Sequence, residues 1–254
     1  MRALPRPLIP AVFFVLLLVA WQWAGQSLAG PGAVLVPPST IVETFGTRWY
    51  ALLLNAGITL SEAGLGFVYG SAAAIVLAIV VDRFRVLGEG LYRLALVIYA
   101  IPVIAIAAPL TATLGLGAES KIAVAALSAY FPVLVNLTGA LRTLDPRIDE
   151  LSRVLAMGYT RTLVSMRAPA VVPALFSSFK IAGPAAFIGA IIAEWMGAEA
   201  GLGVMLIQAM FTFSVPVLWT VLVVATALNG LIVLLFDVAG RLAAPWHVSS
   251  RGEA

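Results

Sequence analysis

With 62% of its 254 residues hydrophobic and only 11% charged, this chain cannot cover itself with a wettable surface, because soluble domains carry about 25% charged residues. The composition, with a mean hydropathy of +1.05 and a net charge of +3, excludes a soluble enzyme and predicts an integral membrane protein filled by one bundle of helices, residues 1–254 forming a single domain. Zero cysteines exclude disulfides, thiolate metal sites and cysteine nucleophiles, and the one histidine, His247, leaves little scope for imidazole chemistry.

A bilayer core needs about 20 apolar residues per helix. Six segments qualify, at 8–28, 56–81, 94–114, 122–141, 170–192 and 215–238. The first follows Arg2 and Arg6 and ends near Ser27-Leu28-Ala29, which is the outline of a secretory signal. Its length, and the five-span chain that cleavage would leave, favour retention as a span. Pro37-Pro38 then blocks helix, and Ser39 is expected to cap a short amphipathic helix over 40–54. In the second span, Gly66 and Gly70 have the spacing that lets helices approach closely, with Phe67 read as packing. Asp82-Arg83-Phe84-Arg85 reads as a tight inner turn, and residues 115–121 as an outer one. Pro102, Pro109 and Pro184 fall within spans and are expected to kink them.

Basic residues near span ends stay on the cytoplasmic side. With the N-terminus inside, twelve of fifteen are cytoplasmic: Arg2, Arg6, Arg83, Arg85, Arg93, Arg142, Arg147, Arg153, Arg161, Arg167, Arg241 and Arg251. Only Arg48 and Lys121 face outward, while Lys180 lies within a span. Both termini are therefore expected in the cytoplasm.

The segment over 145–167 is polar and rich in arginine, between two long apolar runs. Asp145 before Pro146 supplies an N-cap and a proline at the first helical position. Leu151, Val154 and Leu155 fall three and four apart on one face of the resulting helix, with Asp149, Ser152 and Arg153 around the rest. Gly158 is expected to end it. A second helix runs on toward Pro169 and Pro173, with Arg161 and Arg167 at the membrane surface. Such a loop can be merely solvated, but the cap and the apolar stripe point to a contact surface.

Charge inside a span costs about 2.5 to 3.5 kcal/mol on insertion scales, so it marks candidate pathway residues. Lys180 and Glu62 are the foremost, followed by Tyr99 and Asn136. The alternatives are that Lys180 snorkels or pairs with Glu62, and that Tyr99 and Asn136 make interhelical hydrogen bonds. Glu194 is placed at the outer interface, where Trp195 is a typical belt anchor.

The segment from Asp145 resembles the EAA loop of permease subunits of binding-protein-dependent ABC importers. That pattern has Glu-Ala-Ala, a Gly six residues after the Glu and a Pro nineteen after it. Glu150 and Pro169 keep the spacing, whereas Leu151 and Ser152 replace the alanines, Ala156 stands at the glycine position and Gly158 follows two residues later. Val36-Pro37-Pro38-Ser39, Ile101-Pro102-Val103, Gly115-Leu116-Gly117, Phe131-Pro132-Val133, and Glu194-Trp195-Met196-Gly197 with Gly201-Leu202-Gly203 are similar to the nitrate, sulfonate and taurine branch.

The resemblance implies an all-α, six-span permease of type I (MetI-like) architecture in the cell membrane. It also implies a second permease copy, most simply a homodimer, two cytoplasmic ABC ATPase subunits, and an extracytoplasmic substrate-binding protein that delivers solute to the outer face. Asp149, Glu150, Leu151, Ser152, Arg153, Leu155, Ala156 and Gly158 would form the ATPase-coupling surface. The chain lacks a G-x-x-x-x-G-K-[ST] loop, so ATP would be used by the partner ATPase, with no cofactor bound directly and no nucleic acid involved. The family often carries Arg at Lys180 and a basic residue near Glu62. The acidic Glu62 opens the substrate range from nitrate, sulfonate or taurine to a neutral or zwitterionic heterocycle such as a vitamin precursor. The rival is a secondary carrier, against which stand the six spans, the capped inner helix and the lack of visible inverted halves. A structural subunit without transport, the third reading, would tolerate loss of Lys180 and Glu62. No cluster of nucleophile, base and acid suggests an enzyme.

Overall fold

A computed structural model describes the backbone of residues 8–28, 30 and 33–245. The expectations placed on Arg2, Arg6, Ala29, Pro31, Gly32, His247 and Arg251 lie outside the described residues. Among those described, the chain is all helix without a strand: α1 (Leu8–Ser27), α2 (Pro38–Arg83), α3 (Arg85–Tyr99), α4 (Val103–Leu114), α5 (Ala118–Arg142), α6 (Pro146–Val154), α7 (Tyr159–Thr162), a π turn (Leu163–Arg167), α8 (Ala168–Glu194), α9 (Leu202–Phe211) and α10 (Val215–Ala243).

Four stretches are long and apolar enough to cross a bilayer: α2, α5, α10, and the run Tyr159–Glu194 that ends in α8. A bent pair formed by α3 and α4 makes a fifth, and Val12–Ser27 of α1 is a shorter apolar helix. Two expectations need correction. The separate amphipathic helix over 40–54 does not exist, because α2 runs unbroken for 46 residues. At about 1.5 Å per residue that is about 69 Å, more than twice a hydrocarbon core of about 30 Å. Nor does Ser39 cap a helix, since α2 starts at Pro38. The Ser39 amide instead donates to Gln22 Oε1 at 3.0 Å, and Gln22 Nε2 donates to the Ser39 hydroxyl at 2.9 Å, which fastens α1 to α2.

The span expected over 94–114 is broken rather than kinked, with its halves bent by 94°. Proline has no amide hydrogen and disfavours helix in the residue before it, and Pro102 occupies that break. Pro109 and Pro184 remain inside α4 and α8.

The centre of the bundle is α2 against α5 against α8, built from small residues. Ala56, Ala63, Gly66, Gly70, Ala74 and Ala78 of α2 are buried, as are Ala125 and Ala129 of α5 and Ala182, Ala186, Gly189 and Ala190 of α8. Lipid tails are as apolar as leucine, so helices associate by close van der Waals contact rather than by expelling water. Gly66 and Gly70 serve that contact: a β-carbon at Gly66 would collide with Ala125, and one at Gly70 with the Ala126 carbonyl. Phe67 packs with Phe179 and Phe236, at centroid distances of 5.1 and 4.8 Å.

Candidate coupling segment and transport pathway

Asp145 does cap α6, accepting from the Arg147 amide at 2.9 Å, and Pro146 is its first residue. The end of the helix differs from expectation. The Ala156 amide donates to the Arg153 carbonyl at 3.0 Å and the Met157 amide to the Ser152 carbonyl at 2.8 Å. This pair of bonds is a Schellman motif, whose turning residue adopts a left-handed conformation. That residue is Ala156, at φ 49°, so it stops α6. Gly158 has extended backbone and precedes α7. The position at which the family pattern carries glycine is thus the one where the backbone calls for it.

On α6 the apolar stripe is open, with Leu151 50%, Val154 82% and Leu155 56% exposed. Glu150 and Arg153 are exposed as well, while Ser152 is buried and donates to the Asp149 carbonyl at 2.9 Å. The opposite side of the helix is fastened through Asp149, whose Oδ1 accepts from Arg167 Nη2 at 2.7 Å. Arg167 Nη1 also donates to both carboxylate oxygens of Asp82, at 2.9 and 2.7 Å. The Tyr159 hydroxyl donates to Asp82 Oδ2 at 2.9 Å, and the Arg83 guanidinium lies 4.9 Å from the Tyr159 ring centroid. Asp82 and Tyr159 were missed in the sequence, where Asp82-Arg83 reads only as a turn. A polar cavity of about 500 Å³ opens beside this network, lined by Glu89, Thr138 and Arg142 as well.

The four pathway candidates are not brought together, for no hydrogen bond or ion pair among the described residues joins any two of them. Lys180 pairs with Asp237 of α10, not with Glu62, and Asp237 in turn holds Arg241 at 2.6 Å. Asp237 lies within an apolar run, so its charge was a readable signal that sequence analysis passed over. Asn136 is exposed and its Nδ2 donates to the Pro132 carbonyl at 2.8 Å. Tyr99 stacks on Phe131 at 3.6 Å and lines an apolar cavity of about 650 Å³ between the broken span, α2 and α5.

Glu62 is buried, inside the packing and near Glu194 and Lys121. Glu194, the last residue of α8, is only 1% exposed. Its carboxylate accepts from the Thr59 hydroxyl at 2.6 Å and from the Gly203 amide at 2.5 Å. The Leu202 amide donates to Thr59 at 2.9 Å, and the Gly201 amide to Asn55 Oδ1 at 2.7 Å. Gly201 has φ 130°, and a β-carbon there would run into the Glu194 carboxylate. Asn55, Thr59 and Glu62 stand at i, i+4 and i+7 along an apolar helix, and the first two of this polar stripe pin the turn before α9 onto α2.

Residues 66–247 match the family described as binding-protein-dependent transport system inner membrane component. Similar chains include the riboflavin transport system permease protein RibX of Chloroflexus aurantiacus, 30% identical over 94% of this chain and 90% of the relative. The formylaminopyrimidine transport permease protein ThiX of Halalkalibacterium halodurans is 26% identical over 83% and 84%. The putative aliphatic sulfonates transport permease protein SsuC of Bacillus subtilis is 28% identical over 80% and 72%. An inward-facing structure of the MetNI methionine ABC transporter superposes with a TM-score of 0.70 at 18% identity, covering 78% of this chain and 98% of that one. Its fold is therefore shared. These findings converge with the capped, open α6: the chain belongs to the multi-pass membrane permeases of binding-protein-dependent ABC transport systems.

Proposed function

We propose that the chain is one of two identical halves of an ATP-driven import pathway, with its basic end and both termini in the cytoplasm. The exposed stripe of Leu151, Val154 and Leu155 carries this reading. Three large apolar side chains on one short polar helix have no place in the bilayer, and a groove on an ATPase subunit would cover them. Asp149, Glu150, Ser152, Arg153, Ala156 and Gly158 shape that contact, from the surface, the underside or the turn that follows. The ATPase is a separate polypeptide that consumes the ATP, and a binding protein outside the cell delivers solute to the opposite end, where the Glu194–Gly203 latch fixes the surface.

The solute is small and polar. Asp237 offsets part of the charge of Lys180 while also holding Arg241, which weakens the case for a free cation attracting nitrate or sulfonate, and relatives named for riboflavin and formylaminopyrimidine support a vitamin-type heterocycle. Sulfonate remains the second reading, supported by the relative named for aliphatic sulfonates. Lys180, Tyr99 and Asn136 are the proposed pathway residues, while Glu62 is set inside the packing.

The test is affinity purification from the native membrane, followed by uptake in proteoliposomes. An ATPase subunit copurifies with the native chain and is lost with Leu151→Glu, and uptake needs ATP. Uptake that ignores ATP and collapses with an ionophore would establish the secondary carrier instead.

A further inference from the structure

We propose that Arg167 is the positioning residue through which displacement of α6 reaches α2, so that the coupling segment moves two membrane helices and not only the one that follows it in the chain. This rests on the reading of α6 as the ATPase-docking helix.

The covalent route from α6 into the membrane has one non-helical joint, the left-handed Ala156 and the extended Gly158. Beyond it, α7, the π turn Leu163–Arg167 and α8 run on as one helix, Tyr159–Glu194, and π turns inside helices recur at functional sites. By this route a push on α6 reaches only that helix, and only through the joint.

Arg167 bypasses that joint. One terminal nitrogen grips Asp149 on α6, and the other takes both oxygens of Asp82 in the last turn of α2. The guanidinium is planar with five donors, so it holds two carboxylates at once in fixed directions, which a lysine ammonium cannot do. The Arg167 and Asp82 side chains are only 19% and 12% exposed, where charge-assisted bonds are screened least. Tyr159 braces Asp82 from the intervening α7, and Arg83 covers the Tyr159 ring. Asp82 and Arg167, 85 positions apart in the sequence, are thus joined by one side chain directly beneath the docking stripe. The α2 end of this clamp belongs to the helix whose middle holds Asn55 and Thr59 against the Glu194–Gly203 turn. Motion passed to α2 at the basic end therefore has a rigid rod leading to the far end of the bundle.

The experiment uses the complete transporter with its ATPase subunits and binding protein in proteoliposomes. It measures ATP hydrolysed per solute imported and the stimulation of hydrolysis by loaded binding protein. With Arg167→Met the ATPase still copurifies, stimulation falls by about tenfold, the size of a typical coupling between sites, and the ATP cost per solute rises. Arg167→Lys restores part of the stimulation. Asp149→Asn, which leaves the buried Asp82 pair in place, loses stimulation as well and adds nothing when combined with Arg167→Met. Native stimulation and stoichiometry in both Arg167→Met and Asp149→Asn, with the ATPase still bound, would overturn the proposal. Should no ATPase accompany even the native chain, the docking reading itself fails, a different result.

Discussion

Ala156 carries a backbone conformation that a side chain disfavours. A left-handed residue other than glycine costs about 1 to 2 kcal/mol, and Ala156 is held there by the two bonds that close α6. Ala156→Gly should accordingly stabilise the turn by about 1 kcal/mol, part of the gain being returned through the more flexible unfolded chain. Hydrogen exchange of the α6 amides in the purified protein checks this: slower exchange in the variant is expected, and faster exchange would contradict the strain. The start of α6 was legible because Asp-Pro acts locally. Its end was not, because Gly158 has the right letter and Ala156 the right place. Glu62, Glu194 and Lys180 were visible as charges, but their partners lie on other helices, and only the packing decides that Lys180 meets Asp237 and that Glu194 turns inward to Thr59 and Gly203.

Among the elements, α2, α5 and α8 form a unit whose closeness depends on missing side chains. Gly70→Val places two methyl groups against the Ala126 backbone, and overpacking of this kind costs about 1 to 3 kcal/mol. We expect a lower unfolding temperature in detergent for Gly70→Val. Gly64→Val, at a position with open space around it, should have little effect, and equal losses at both sites would contradict the packing account. The long apolar runs showed the spans at 122–141, 170–192 and 215–238 to within a few residues of α5, α8 and α10. Hydropathy gave no warning that α2 would continue outward through 40–54, since an amphipathic helix and its extension share one period. Nor did it show that Pro102 divides a span, since an apolar run is blind to the angle between its halves.

At the scale of the molecule, one end is basic, with α6 suspended from Arg167, and the other is closed by the latch onto Glu194. The proposed route between them runs along α8, where Lys180 lies about 20 Å beyond Arg167 at about 1.5 Å per residue. Lys180→Met leaves Asp237 to Arg241 alone and removes the positive charge from mid-helix. If Lys180 lines the route, uptake kinetics in proteoliposomes change by severalfold while the ATPase stays bound. Unchanged kinetics would assign the Lys180–Asp237 pair to packing between α8 and α10.

Because the chain has no cysteine, a single introduced thiol reports on one place. Val154→Cys sits at the most exposed point of the α6 stripe, 82% open in the isolated chain. In the assembled transporter, a thiol-reactive cross-linker at this position should join the chain to the ATPase subunit, and water-soluble maleimide should react only after the ATPase is removed. Rapid maleimide labelling of Val154→Cys in the intact assembly, with and without ATP and with no cross-link formed, would contradict the account.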